Sequence, residues 1–453
     1  MTYLLSLLKK SEMLAALGVT LVLFFFSTAV NFSAGYLIFA AFVPLFLITR
    51  VKKSGIIFFI AAFSYFYINF FWFVFYWPVY FNAALYLYLS LFWMLFWLIS
   101  RRVWEKQGDI LIIPLIFTAV EYLRSIGPLG FISGTPAYAL WKYKVFYPVI
   151  RIGGIWLADF IIILINVFIA KALSRKVRKL DFIVVVLSVA FVILADNYVD
   201  FKQNVMPRFS AIVFNTKLTP QQKWAPGFAA NIEKWYDNML RQVPQKHSDF
   251  IIFPETAAAS YLLKSDTEKK YYQGLAARYD AAVVVGTKDY IKKGGAYEYH
   301  NTAAVFYPDG VTDKYYKVHP VPFAEKRFFF SSQKLSKSGA FEESASDYKV
   351  FRGHSDIPFA VLICYETTYP DLVRRFISNG AKLLINISNE GALSRSHIVS
   401  MQLVRETLFR AIENNTVIIK SANRGYSAVF YPDGTMRYLG GPDENKTVFV
   451  TIN

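Results

Sequence analysis

Three polar residues in the second half of this 453-residue chain have types that can do chemistry together. Glu255 closes the apolar run "DFIIFPE", and Cys364 closes "PFAVLIC". Lys317 lies in "KYYKVHPVPFAE", just after a Pro-Asp-Gly turn. The ends of buried strands are where α/β sheets present reactive groups. A thiol, a carboxylate and an ammonium converging there make a complete set for acyl transfer. The thiol attacks a carbonyl, the carboxylate moves the proton, and the ammonium steadies the developing oxyanion. Each residue also has a plain structural reading. Cys364 can be core packing, Glu255 a helix cap, and Lys317 a solvated strand residue.

Other chemistries find less support. The histidines His247, His300, His319, His354 and His397 show no metal-ligand spacing, and Cys364 is the sole cysteine. Neither a metal site nor a cofactor site is expected. No G-x-S-x-G elbow, P-loop or dinucleotide glycine pattern is present. A lone cysteine has no internal disulfide partner, so it is either inert or kept free.

Those residues must be positioned by a chain of two characters. Apolar residues make up 55% and charged residues only 18%, and the imbalance falls in the first two hundred residues. Seven apolar runs are centred near Leu21, Phe42, Tyr65, Leu91, Pro114, Ile162 and Leu187. A membrane-spanning helix needs about 20 mostly apolar residues, so the expectation is a membrane domain of about seven helices over 1–200. Basic residues fall in alternate breaks: Lys9 and Lys10; Arg50, Lys52 and Lys53; Arg101, Arg102 and Lys106; Lys171 to Lys179. That alternation predicts a cytoplasmic N-terminus and an extracytoplasmic domain over 205–453. The first run reads as an uncleaved span rather than a signal peptide. Much of the net charge of +17 lies in those loops, which points away from nucleic acid.

The second half reads as buried strands alternating with helices. Strands are expected at "SAIVF", "DFIIFPE", "AAVVVG", "PFAVLICYE", "AKLLINIS" and "TVIIKSA". Helices are expected at "NIEKWYDNMLRQV" and, with Ser396 as N-cap, at "SHIVSMQLVRETLFRAIENN". "AVFYPDG" occurs at 304–310 and again at 428–434, and each copy predicts a hairpin. The pattern is that of a layered α/β domain. In the membrane half, Asp159 is an ionisable group in an apolar span, and Glu121 with Arg124 reads as an i,i+3 pair at the interface.

In combination, "FPET", "YYKVHPVPFAE" and "ICYE" resemble the nitrilase superfamily, whose order is Glu, Lys, Cys. With the membrane half in front, residues from about 15 to about 435 resemble the apolipoprotein N-acyltransferase family. "FTAVEYLRS", "GGIWLADFIIILIN" and "LTPQQKWAP" carry that part of the likeness. The resemblance implies a transmembrane bundle followed by a nitrilase-like αββα sandwich in a bacterial inner membrane. It makes Glu255 the general base, Lys317 the oxyanion-stabilising cation and Cys364 the nucleophile. It gives Glu325, Tyr365 and Glu366 supporting roles and makes Trp224 important for substrate.

The implied partners are a phospholipid acyl donor and a diacylglyceryl-lipoprotein acceptor, with a monomer favoured. Phe328 and Phe329 of "KRFFFSS" are candidates for an apolar roof over the site, or for core packing. Three departures stand against the family pattern. Ala324 replaces a usual Gly, the chain reads "SNEGALSRS" where the family usually follows "SN" with an Asp-Ala-Trp-Phe-Gly type stretch, and "KTVFVTIN" stands where a further span is usual. Two rival readings remain: a membrane-tethered nitrilase-type amidase, and an inactive relative that binds lipid or lipoprotein.

Overall fold

The apolar runs of the first half fold as helices in a computed structural model that describes residues 2–28, 34–127, 129–198, 208–229, 231–244, 247–321, 325, 341, 348–352, 357–391 and 397–452. The chain divides into two compact units, Met1–Asp200 and Phe201–Asn453. Among the described residues of the first unit, four helices are long and apolar enough to cross a membrane. They are Lys10–Thr28, Ser54–Phe75, Val79–Val103 and Lys144–Leu173. The chain is a membrane protein.

The three other apolar runs are helical too. The run at Phe42 is broken into Ile38–Ala41 and Val43–Leu47. The run at Pro114 forms the 17-residue helix Asp109–Ser125, about 26 Å long at 1.5 Å per residue. The run at Leu187 forms Lys179–Tyr198, with Asp181 in its first turn.

Several ionisable side chains in this unit are buried and paired, as an apolar surround demands. Glu121 and Arg124 do pair, at 2.5 Å, but both are fully buried rather than interfacial. Trp93 Nε1 donates to Glu121 at 2.9 Å, and Arg124 reaches the carbonyls of Phe131 and Ser133. Asp159 accepts from Thr135 Oγ1 and from the Ala137 N–H, fixing a turn beside its helix. Lys171 bridges Asp109 and Asp181, each at 2.7 Å, and so ties three helices together.

The second unit is built on two six-stranded sheets. The strands are β1 (Phe209–Asn215), β2 (Phe250–Ile252), β3 (Ala282–Lys293), β4 (Ala296–Phe306), β5 (Thr312–Tyr316) and β6 (Phe351–Arg352). They continue as β7 (Pro358–Ile363), β8 (Leu383–Asn389), β9 (Val417–Asn423), β10 (Ser427–Phe430), β11 (Met436–Gly440) and β12 (Lys446–Ile452). One sheet runs β12-β1-β2-β3-β4-β5 and the other β11-β10-β9-β8-β7-β6. β1, β2 and β3 are parallel, as are β7, β8 and β9, so their C-terminal ends collect at one edge of each sheet.

The sheets pack face to face, with Phe250 edge-on to Phe359 across the interior. They are stitched by Thr216, whose N–H donates to Ala422 O and whose carbonyl accepts from Arg424 N. Helices Ile232–Leu240 and Asp266–Tyr279 cover the first sheet, burying Tyr236, Met239, Tyr272 and Leu275 against Ile212, Ile251 and Val283. Helix His397–Asn414 packs on β9 and β10 of the second, and helix Pro370–Ser378 packs beside it and against the turn that follows β7. The result is the expected αββα sandwich.

Both "AVFYPDG" copies are hairpin turns, joining β4 to β5 and β10 to β11, with Gly310 and Gly434 at positive φ. "KTVFVTI" forms β12, antiparallel to β1 along the edge of the first sheet. Ser396 lies outside the described residues.

Candidate active site

Glu255 follows β2 after Phe253 and Pro254, and its carboxylate is buried. Each oxygen has its own donor. Asn301 Nδ2 donates to Oε1 at 2.7 Å, and the Asn389 N–H donates to Oε2 at 2.7 Å. Lys317 Nζ stands 3.7 Å from Oε1. Gly286 on β3 packs so closely that a Cβ there would lie 2.5 Å from Glu255 Cα. Burial pushes the Glu255 carboxyl above the usual range, with Lys317 pulling it back and Glu325 adding to the rise. A carboxylate in that state is poised to accept a proton.

Lys317 follows the β4–β5 hairpin and is almost completely buried. Its backbone N–H donates to Asn301 O at 2.9 Å, and its Nζ donates to both oxygens of Glu325 at 3.1 and 2.8 Å. Burial alone would strip its proton, but Glu325 and Glu255 outweigh it and hold the ammonium above its ordinary range. It is a fixed cation. Asn301 Nδ2 also reaches Glu325 Oε1 at 2.9 Å, so one amide spaces the two carboxylates around the ammonium.

Cys364 directly follows β7 and begins the 3-10 turn Cys364–Thr368, with φ at +55°. A left-handed backbone at a non-glycine residue costs about 1–3 kcal/mol and persists only where the surroundings impose it. Thr256, just after Glu255, is left-handed too, at +51°. The turn at Cys364 is held from behind by Glu366. Its Oε2 accepts from the Ile363 N–H at 2.8 Å. Its Oε1 accepts from Tyr315 Oη at 2.9 Å, the Val318 N–H at 2.7 Å and the His319 N–H at 3.1 Å. One buried carboxylate therefore ties the lysine segment to the cysteine turn. Burial lifts Glu366 to about 7, with Lys317 and the hydrogen bonds opposing.

Burial and then Glu255 push the Cys364 thiol up to about 12, while Lys317 and Ser388 pull it down. The sulfur is a neutral thiol at physiological pH. An attack by it needs a base that takes the proton during the step, and Glu255 has the character for that. Ser388 Oγ lies 3.4 Å from Cys364 Sγ.

The other expected residues are placed less centrally. Trp224 is half-exposed, with Lys288 Nζ 4.5 Å from its ring centroid. It follows a helical turn opened by a Thr219–Gln222 capping box. That turn is anchored to the site because Lys223 Nζ donates to Thr256 Oγ1 at 2.8 Å. Tyr365 sits edge-on to Tyr369. Ala324, Phe328 and Phe329 lie outside the described residues.

Asn301, Thr256, Ser388 and Asn389 escaped the sequence reading. "ISNEG" carried a signal, since two polar residues end a strand there, but asparagine at a strand end is also ordinary turn chemistry. Among the described residues, no group of three or more His, Cys, Asp or Glu side chains could hold a metal.

With this geometry in view, the comparisons with known proteins are specific. Residues 218–453, spanning β2 to β12 and every residue of the site, match the carbon-nitrogen hydrolase family. The chain belongs to that family. Residues 15–168 match the apolipoprotein N-acyltransferase N-terminal domain, so the resemblance covers both units.

The apolipoprotein N-acyltransferase of Geobacter metallireducens is 27% identical over 350 residues, covering 74% of this chain and 66% of its own. That of Thermotoga maritima is 26% identical over 320 residues, covering 69% and 59%. The chain thus spans somewhat under two thirds of the length of these relatives. A solved carbon-nitrogen hydrolase from Helicobacter pylori G27 is 16% identical, with a TM-score of 0.42, covering 54% of this chain and 89% of that one.

Proposed function

We propose that the chain is an apolipoprotein N-acyltransferase. It moves an acyl chain from a phospholipid, through a thioester on Cys364, to the α-amino group of a lipoprotein's N-terminal diacylglyceryl-cysteine. The observation that carries this reading is Lys317 held between Glu255 and Glu325, beside a neutral thiol on a strained turn. A membrane unit matched to the apolipoprotein N-acyltransferase N-terminal domain supports a lipid substrate over a small soluble amide.

In the first half-reaction, Sγ bonds to the carbonyl carbon of a phospholipid ester as Glu255 takes the thiol proton. Lys317, with the backbone N–H of Tyr365, stabilises the oxyanion. Collapse breaks the C–O bond, Glu255 returns the proton to the departing lysophospholipid oxygen, and the thioester remains. In the second half, the α-amine bonds to the thioester carbon, its excess proton passes to Glu255, and the C–S bond breaks. Cys364 regains a proton as the amide product leaves. An α-amine has a pKa near 8, so it arrives partly protonated, and a base of raised pKa suits the task.

The basic loops favour a cytoplasmic N-terminus and a catalytic unit outside the cytoplasm, on a bacterial inner membrane. That placement needs an odd number of crossings, seven if every helical run spans. Crossing by the four longest alone would return the chain to the cytoplasmic side. Protease cleavage within the second unit in intact spheroplasts tests it.

Incubating the full chain in detergent with phospholipid alone should give an acyl adduct on Cys364 that neutral hydroxylamine releases. No adduct with any phospholipid, from folded protein, refutes the transferase. Release to water alone, with no transfer to a lipoprotein amine, assigns a hydrolase. Glu255→Gln should slow adduct formation by about 10²–10⁴-fold, the usual contribution of a positioned base.

A further inference from the structure

The stretch "SNEG" at the end of β8 leads, side chain by side chain, to Cys364. Ser388 Oγ lies 3.4 Å from Cys364 Sγ and 3.1 Å from Glu390 Oε1. Glu390 Oε1 also pairs with Lys420 Nζ at 2.6 Å, and both members of that ion pair are fully buried. A buried pair is a poor device for stability, because desolvation offsets most of its Coulomb attraction. The fold nevertheless makes room for it. A Cβ at Gly425 would lie 2.4 Å from the Glu390 carboxyl, so any larger residue there would displace it. Asn386, two residues before Ser388 on the same face of β8, donates to Cys364 O at 3.1 Å and keeps the turn in register.

A serine hydroxyl has one hydrogen, and two acceptors flank this one. When Cys364 is a thiol, the Ser388 hydrogen belongs to Glu390, the stronger acceptor, and Oγ can accept from S–H. When the sulfur is a thiolate it too is an ionised acceptor, to which hydrogen bonds are about twice as strong as to a neutral one. Unlike Glu390 it has no ion-pair partner at 2.6 Å among the described residues, so the hydrogen is worth more on Sγ. Glu390 can release it cheaply, since Lys420 still holds the same oxygen.

We propose that Ser388 is a catalytic hydroxyl that switches its hydrogen from Glu390 to the Cys364 sulfur as charge develops there. Glu390 and Lys420 are the positioning pair that makes the switch reversible. No proton changes owner in this motion; the O–H bond rotates about the Cβ–Oγ axis. It aids attack, when Sγ loses its proton to Glu255, and again in the second half-reaction, when thiolate is the leaving group. This inference rests on the thioester reading of Cys364.

Two measurements on the full chain in detergent test it. The first is the rate of acyl-adduct formation with phospholipid. The second is the rate of iodoacetamide alkylation at pH 9, which needs no substrate and reads the sole cysteine. Ser388→Ala should slow both by about 10- to 100-fold, the loss of one hydrogen bond to a charged group. Ser388→Thr, which restores a hydroxyl, should recover most of each rate.

The double variant Glu390→Gln, Lys420→Met removes the competing charge and should speed alkylation several-fold. Opposite signs for the two variants support the switch, because a merely structural role gives one sign. Unchanged alkylation in Ser388→Ala, or slowing in both, overturns it. Should Ser388→Ala lose its fold, the sign of the double variant decides. Absence of an adduct in the unmodified protein refutes the thioester reading instead, and the alkylation rates still judge Ser388.

Discussion

Glu366 never touches the reacting atoms, yet replacing it with glutamine should disable the site. The carboxylate accepts three donors on Oε1, from Tyr315, Val318 and His319, and one on Oε2, from Ile363. Glutamine has one oxygen and one NH₂. The favourable orientation gives the oxygen to the three donors and points NH₂ at the Ile363 N–H, donor against donor. One buried N–H is then orphaned, at about 1–3 kcal/mol. Ile363 is the last residue before Cys364, so the turn carrying Cys364 relaxes first.

Expressed wholly as misplacement of Sγ, that energy slows attack by roughly 5- to 150-fold at 1.36 kcal/mol per decade. The assay is the time course of mass gain on Cys364 with phospholipid in detergent, with circular dichroism confirming the fold. Glu366→Ala orphans every donor and should lose the fold of the turn altogether. Adduct formation by Glu366→Gln within twofold of the unmodified rate would refute the positioning role.

Three further outcomes are expected. Because burial raises Cys364 to about 12, its thiolate fraction grows with pH throughout the accessible range. Alkylation should accelerate about tenfold per pH unit from 7 to 10 without levelling, whereas a plateau near pH 8.5–9 would mean an ordinary thiol. Burial depresses Lys223 to about 7, against the pull of Glu255, so between pH 7 and about 10.4 the unfolded chain binds the extra proton and stability rises with pH. Lys223→Met removes that rise. Its thermal-midpoint difference from the unmodified protein should be greatest at pH 7 and narrow towards pH 10. Gly286→Ala places a Cβ 2.5 Å from Glu255 Cα and Thr256 N, backbone atoms that cannot yield. It should cost about 1–3 kcal/mol of stability and slow adduct formation at least as much as the loss of one positioning contact.

The sequence by itself determined the reagents and the frame. Short, near-continuous apolar runs such as "AVLI" and "LLINI" are what strands buried on both faces require, so Glu255 and Cys364 were expected at strand ends. The Pro-Asp-Gly copies set two hairpins because only a turn with glycine at positive φ closes them. Apolar runs near 20 residues announced the membrane unit, though not that Phe42 would interrupt one of them.

Only the tertiary structure decided who stands next to whom. Asn301 sits on β4, 46 residues from Glu255, and Asn389 sits on β8 in the opposite sheet, 134 residues away. No local spacing encodes either pairing. Glu366 is a sequence neighbour of Cys364, and in the fold it is the clamp joining two chain segments 48 residues apart. Residue type fixes what a side chain can donate or accept. Which partner it meets depends on sheet order and on the packing of one sheet over the other, and both are properties of the whole fold.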